Sequence, residues 1–290
     1  MSKAKEISSA SGPFVEVSTP ISREKSRDRV LAWRKTKAIM LGLILPAVTV
    51  VLWQIASVVG LVAETLLPAP TAILQVFIDL IVTGELWGHL ETSIWRAAVG
   101  FGLGAGIGLL LGMFVGFSSK TEQFMDPSLQ MLRTVPHLAV APLFILWFGF
   151  GELSKVLLIA KGAFFPIYVN AFLGIRGVDS KLFDVARVLE FSHFKLVTKL
   201  ILPAALPNIL LGIRLSLGVA WLGLVVAELM GSSEGIGYMI MDARQFSNTE
   251  IVFVGIIIFA VVGKLTDSLV RSLEHRLLKW RDNFNGDIGS

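Results

Sequence analysis

An all-α membrane protein with six transmembrane helices is the fold class this sequence predicts, on three observations. The 290 residues are 54% hydrophobic and 17% charged, with a mean hydropathy of +0.72, whereas soluble domains carry about 25% charged residues. The apolar residues gather into runs of about 20, the length that crosses a hydrocarbon core ~30 Å thick. Lysine and arginine, finally, are segregated between the connecting segments in a way that fixes a topology.

Taken in order, residues 1–37 are rich in Ser, Lys and Arg and read as a disordered cytoplasmic arm. They do not suit a secretory signal, because the charged region is too long and the first apolar run is long enough to span. The six spans are expected at 38–60, 93–117, 129–150, 153–175, 204–230 and 249–270, within a membrane domain of residues 38–275. Residues 276–290 form a short tail. Between the first two spans, PAPTAILQVFIDLIVTGELWGHLE reads as a short amphipathic helix lying along the interface.

The second span contains GFGLGAGIGLLLGMFVG at 100–116, with seven glycines in seventeen positions. It is not a phosphate loop. No G-x-x-x-x-G-K-[ST] occurs in the chain, so the lysine and the magnesium-binding hydroxyl of that motif are missing. The looser dinucleotide pattern, Gly100, Gly102 and Ala105, follows ETSIWRAAV, which does not alternate as a strand should, and Glu122 is a weak ribose partner. Gly100, Gly104, Gly108, Gly112 and Gly116 instead recur every four residues, which clears one helix face for close backbone approach in lipid.

Nine Lys and Arg precede the first span, none lie in 61–92, five lie in 176–203, one (Arg244) in 231–248, and five follow Gly263. Positive residues stay on the cytoplasmic side, so both termini and the 176–203 loop are expected inside. The net charge of +4 thus follows membrane topology rather than nucleic acid. The absence of cysteine excludes disulfides, thiolate metal sites and thiol catalysis.

The long internal loop reads RGVDSKLFDVARVLEFSHFKLVTKLILPAALPNILLGIR. It resembles the cytoplasmic signature of ABC-importer permeases, E-A-A-x3-G-x9-I-x-L-P, with Asp184, Val185 and Ala186 in place of E-A-A. Leu200 takes the isoleucine position, and Leu202-Pro203 close the pattern. The run LGVAWLGLVVAELMGSSEGIGYMIMDARQF is similar to the permeases of nitrate, taurine and, most of all, aliphatic-sulfonate importers. Val185 replaces the first alanine. Glu190 occupies the glycine position, where the pattern calls for a turn between two short helices; either the turn adapts or one helix runs on.

The resemblance implies a type I importer architecture in the bacterial inner membrane. Two copies of the chain sit on two ATPase subunits that bind ATP and Mg, and an extracytoplasmic binding protein delivers the substrate. The chain itself would hold no cofactor or metal, carry no catalytic residue, contact lipid and bind no nucleic acid. Coupling to the ATPase falls to Lys181, Phe183, Asp184, Ala186, Arg187, Glu190, Phe191, His193 and Pro203, with Asp184 holding a short helix and Ala186 giving a small docking surface. Pro203 and Pro207 lack N–H donors and mark where the loop re-enters the membrane.

Ionisable residues inside a span are expensive and therefore informative. Lys161, in LLIAKGAFFPIYV, either faces the pathway and attracts an anion, pairs with Glu228 of the fifth span, or snorkels to an interface. Arg96 and Arg214 read as interface anchors or inter-helix donors. His137 follows Pro136 in RTVPHLAVAP, a proline-broken stretch of the kind tolerated where helices line a cavity; it is either structural or, with Lys161 and Glu228, part of the pathway. Gly231, Gly235 and Gly237 suit a turn or re-entrant segment on the external side. A secondary carrier would need paired intramembrane carboxylates or inverted repeats, and a membrane enzyme a His/Asp/Glu cluster; the sequence displays neither.

Overall fold

The computed structural model describes residues 41, 42 and 44–278, and the chain divides into two units at Leu61. The expected N-terminal arm, the start of the first span and the tail beyond 278 lie outside the described residues. In the first unit an apolar helix, α1 (Ile44–Val58), tolerates Thr49 because its hydroxyl donates to the Leu45 carbonyl at 2.9 Å.

The second unit begins with α2 (Pro70–Val82) and α3 (Glu85–Phe117). These two correct the interfacial helix expected over 68–91. Helix α2 stops at Thr83, Gly84 turns the chain with φ at 82°, and residues 85–92 already belong to the 33-residue spanning helix.

The third span is corrected as well. Residues 129–150 are not one helix: α4 (Ser119–Arg133) and α5 (His137–Phe148) meet at 96° across Thr134–Pro136. Pro136 offers no N–H, and its ring disfavours helical geometry at Val135. Tyr168 then donates to Asp126 at 2.8 Å, and Arg176 pairs with Glu122, tying α4 across α6 (Glu152–Arg176).

Helices α7 (Ser180–Val188) and α8 (His193–Leu196) follow. From His193 the helical path continues without interruption to Leu229, through a π-turn at Val197–Ile201 and into α9 (Leu202–Leu229). Pro203 therefore does not start a new helix; it sits inside a continuous one. Its ring would clash with the Lys199 carbonyl of an ordinary turn, and the wider turn, closed by Leu202 N–H on the Val197 carbonyl, relieves that clash. Helices α10 (Ile236–Gln245) and α11 (Thr249–Leu277) complete the chain.

Among the described residues every regular element is helical, and four helices are long and apolar enough to cross a membrane, or five if the bent pair counts as one. The centre is α6, packed between α3 on one side and α9 on the other. The α3 glycines make this possible. A β-carbon at Gly100 would lie 2.6 Å from Ile159, at Gly108 2.5 Å from the Phe164 carbonyl, and at Gly112 2.6 Å from the Tyr168 carbonyl, while one at Gly104 would overlap the Ala160 backbone. Gly102 and Gly106, on the opposite side, would meet nothing within 4 Å. On α9 the small residues Ala205, Gly212, Ser216, Ala220 and Gly223 serve the same purpose, and Ser216 donates to the Ala163 carbonyl at 2.5 Å.

Gly104→Leu should therefore force α3 off α6, at a cost of at least the ~1–3 kcal/mol of an overpacked core, read as lost thermal stability in detergent. Gly102→Leu and Gly106→Leu, facing open space, should leave the melting temperature within about 2 °C of the parent, within the ±0.5 kcal/mol of an ordinary surface substitution. Equal effects at all three positions would remove the glycine face from the packing.

Candidate functional site

Three polar features stand out against this apolar scaffold. The first is a cavity of about 410 Å³ at the α4–α5 break, lined by Arg133, Thr134, Val135, Pro136 and His137 on one side and by Lys161, Phe165, Asn170, Leu215 and Val219 on the other. Lys161 donates to the Val135 carbonyl at 3.1 Å. The His137 imidazole fits the notch left by Gly162 and Gly223, and its Nε2 has no hydrogen-bond partner among the described residues. Lys161 and His137 thus line one cavity because the proline break turns the start of α5 toward the middle of α6.

Glu228 is not with them. Lys161 does not pair with it, and Glu228 does not line the cavity: it is 1% exposed and belongs to a second feature. Arg96, also 1% exposed, binds Glu152 through two bonds of 2.6 Å and Glu228 through one of 3.0 Å. Its remaining donor capacity reaches the Glu234 carbonyl at 2.6 Å. Ser93 donates to Glu228 at 2.7 Å and accepts from Ile236 N–H at 2.9 Å. The Gly237 N–H donates to the other Glu228 oxygen at 2.8 Å. Lys155 adds a bond of 3.0 Å to Glu152.

One guanidinium therefore locks α3 to the start of α6, the end of α9 and the turn before α10. Arg96 is an inter-helix donor and not an interface anchor. Arg214 behaves likewise, bonding Asp267 of α11 at 2.8 Å. The turn needs its glycine: Gly235 has φ 109°, and a β-carbon there would strike the Glu228 carboxylate. The expected segment around Gly231–Gly237 is a tight turn followed by the ten-residue α10.

The third feature is the loop between α6 and α9. Asp179 caps α7, accepting from Lys181 N–H at 2.9 Å. Asp184, expected to hold this helix, instead stands exposed and reaches only Arg187, at 3.4 Å. The turn expected at Glu190 is kept. Phe191 N–H bonds the Ala186 carbonyl at 3.0 Å and Glu190 N–H the Arg187 carbonyl at 3.1 Å, the bond pair of a helix ending in a left-handed residue, usually glycine. Glu190 takes that conformation with φ 50°.

Ala186 is not a docking surface, since it is 3% exposed. Phe183 also turns inward, against Ile175, Ile201, Ala205 and Ile209. This follows from the 3.6-residue period: with residues 183 and 186 buried, 185 and 188 point away, while 182 and 189 flank 186 at the edge of the buried face. Leu182, Val185, Val188 and Leu189 are the exposed apolar residues, and a groove of about 340 Å³ runs between α7 and the start of α9, past Leu182, Val185, Ala186, Phe191, Lys199 and Pro203. Lys181, Arg187 and His193 are exposed polar groups of the same loop. Among the described residues no group of three or more His, Asp or Glu could hold a metal ion.

Sequence reasoning missed the exposed apolar face and the importance of Arg96. The first was legible as the spacing Leu182, Val185, Leu189. The second carried one signal, the low frequency of charges within spans, which does not reveal a partner 132 residues away in sequence.

Two substitutions test this geometry. Arg96→Met leaves Glu228 buried without its partner and should cost about 3–5 kcal/mol, whereas Arg96→Met combined with Glu228→Gln should recover part of that loss. Thermal unfolding of the purified single and double variants measures both, and additive losses would mean that the two groups do not interact. Glu190→Gly should stabilise the α7–α8 turn by up to about 1 kcal/mol by removing left-handed strain. Slower amide exchange at Glu190–Phe191 would show it, and faster exchange would contradict the turn geometry.

Comparison with known proteins adds the lineage. Residues 104–279 match the family described as binding-protein-dependent transport system inner membrane component. A Bacillus subtilis protein named as an aliphatic sulfonates transport permease is 64% identical over 96% of this chain and 98% of its own. Its Escherichia coli namesake is 46% identical over 83% and 92%, and the E. coli taurine transport system permease 33% identical over 89% and 96%. The chain belongs to this family of inner membrane components: it is a multi-pass ABC-transporter permease, a class that works with an ATPase and a substrate-binding protein.

Proposed function

We propose that this permease, working as a pair, imports small aliphatic sulfonates, and that α7 and α8 couple it to the ATPase. The substrate reading rests on the 64% identity to a relative named for aliphatic sulfonates. The coupling reading rests on one observation, the apolar face of Leu182, Val185, Val188 and Leu189 left exposed on a segment that projects between two spans. Such a face on a helix of nine residues fits a groove on a soluble partner as an anchored knob.

The positive-inside pattern places this segment and both termini in the cytosol, where the ATPase subunits hold ATP and Mg. The binding protein delivers substrate to the opposite side, at the end where Arg96 and the Gly235 turn lie. Two copies of the chain, surrounded by lipid, then alternate between inward and outward access as the ATPase dimer opens and closes. Lys181, Asp184, Arg187, Glu190 and His193 form the polar rim of the contact, while Phe183, Ala186, Phe191 and Pro203 shape the knob from beneath.

Val185→Glu and Leu189→Glu place a carboxylate on the exposed face without touching the buried one. Each should leave the permease folded and reduce co-purification of the ATPase, because an unpaired charge buried in an interface costs several kcal/mol. Uptake of hexanesulfonate and ATP hydrolysis are read together in proteoliposomes with the binding protein present. Normal association and normal coupled uptake in both variants would place the contact elsewhere.

A further inference from the structure

The cavity at the α4–α5 break has a charge pattern that scaffold packing does not require. Arg133, His137 and Lys161 line it, and no carboxylate does. The Lys161 ammonium has three N–H donors, of which the Val135 carbonyl takes one. His137, the first residue of α5, also lines the cavity, and α5 carries no side-chain cap at its N-terminus. The unpaired N–H groups and the dipole of a helix start favour an anion, and discontinuous helices in membranes present such half-helix ends to anionic groups.

Most of the remaining lining is apolar, built from Phe165, Pro166, Val169, Leu215 and Val219, with Asn170 among them. The volume of about 410 Å³ falls within the range of small-molecule sites. A simple inorganic anion would leave those apolar walls unused. An apolar solute would leave three cationic or polar heads facing nothing.

We propose that this cavity is a binding station for organic monoanions that carry an apolar tail. Lys161 and the start of α5 hold the oxyanion head, and Phe165, Leu215 and Val219 receive the tail. The station deepens the sulfonate reading and rests on it for its substrate class, and it assigns part of the selectivity to the permease itself. Glu228 takes no part.

The permease–ATPase complex in lipid nanodiscs, without the binding protein, is titrated calorimetrically with hexanesulfonate, sulfate and 1-hexanol. Hexanesulfonate should bind at least about tenfold more tightly than either of the others, the range expected of one lost polar or apolar contact. Lys161→Met should weaken it by about tenfold or more, Lys161→Arg should retain most of it, and Leu215→Asn should weaken hexanesulfonate while leaving sulfate unchanged. Thermal unfolding of the Lys161→Arg and Leu215→Asn complexes should stay within about 2 °C of the parent, which shows that both are folded. Equal affinities for hexanesulfonate and sulfate, unchanged binding in Lys161→Met and Leu215→Asn, or no binding by the parent would each overturn the station. Intact binding at the cavity with no sulfonate uptake in proteoliposomes would instead overturn the substrate reading and leave the station standing.

Discussion

The approach of α3 to α6 is the contact on which the rest of this membrane domain depends. In lipid no hydrophobic force drives helices together, because the acyl chains are as apolar as the side chains. What remains is van der Waals contact at short range and inter-helix hydrogen bonding. Gly100, Gly104, Gly108, Gly112 and Gly116 supply the first by letting Ile159, Ala160, Phe164, Tyr168 and Ile175 reach the α3 backbone. With one flank of α6 fixed, α9 seats its own small residues on the other, and Ser216 bonds across. Everything functional in the molecule is carried by this three-helix slab: the cavity at its middle, the polar lock at one end and the α7–α8 knob at the other.

The lock is the costlier device. A charge inside the hydrocarbon region is unfavourable unless paired and hydrogen-bonded, and the Arg96 cluster meets that condition with two carboxylates, a serine hydroxyl and three backbone groups of the turn. Its geometry ties four elements to one guanidinium, something no apolar contact could do with equal directional precision. The consequence is a rigid end to the slab, in which the start of α6, the end of α9 and the turn before α10 are fixed to α3.

The cavity and the knob share α6 as their common element. Lys161 lies near its middle, while its last turn leads through Gly177 to the capped α7. The bent α4–α5 pair is attached to the same helix through Tyr168–Asp126 and Arg176–Glu122. One packed helix therefore joins the cavity lining to the segment that carries the exposed apolar face.

Much of this was legible in the order of residues alone. Apolar run length picked out α3, α6, α9 and α11, the helices long and apolar enough to cross a membrane, because hydrocarbon thickness sets their length. The four-residue glycine spacing fixed which face of α3 packs, because a helix repeats its face at that interval. Pro136 signalled a break, and the loop signature located the short helices α7 and α8 together with the turn at Glu190. Pairing was not legible. That Arg96 takes Glu228, leaving Lys161 to the cavity, and that Ala186 faces inward while Val185 and Leu189 face out, depends on how helices distant in sequence are rotated about their axes when they pack. A local pattern determines that a helix forms and which of its faces is small or apolar. Which charge meets which is decided only when the slab assembles, since the cost of an unpaired ion in lipid is settled by its neighbours in space and not by those in the chain.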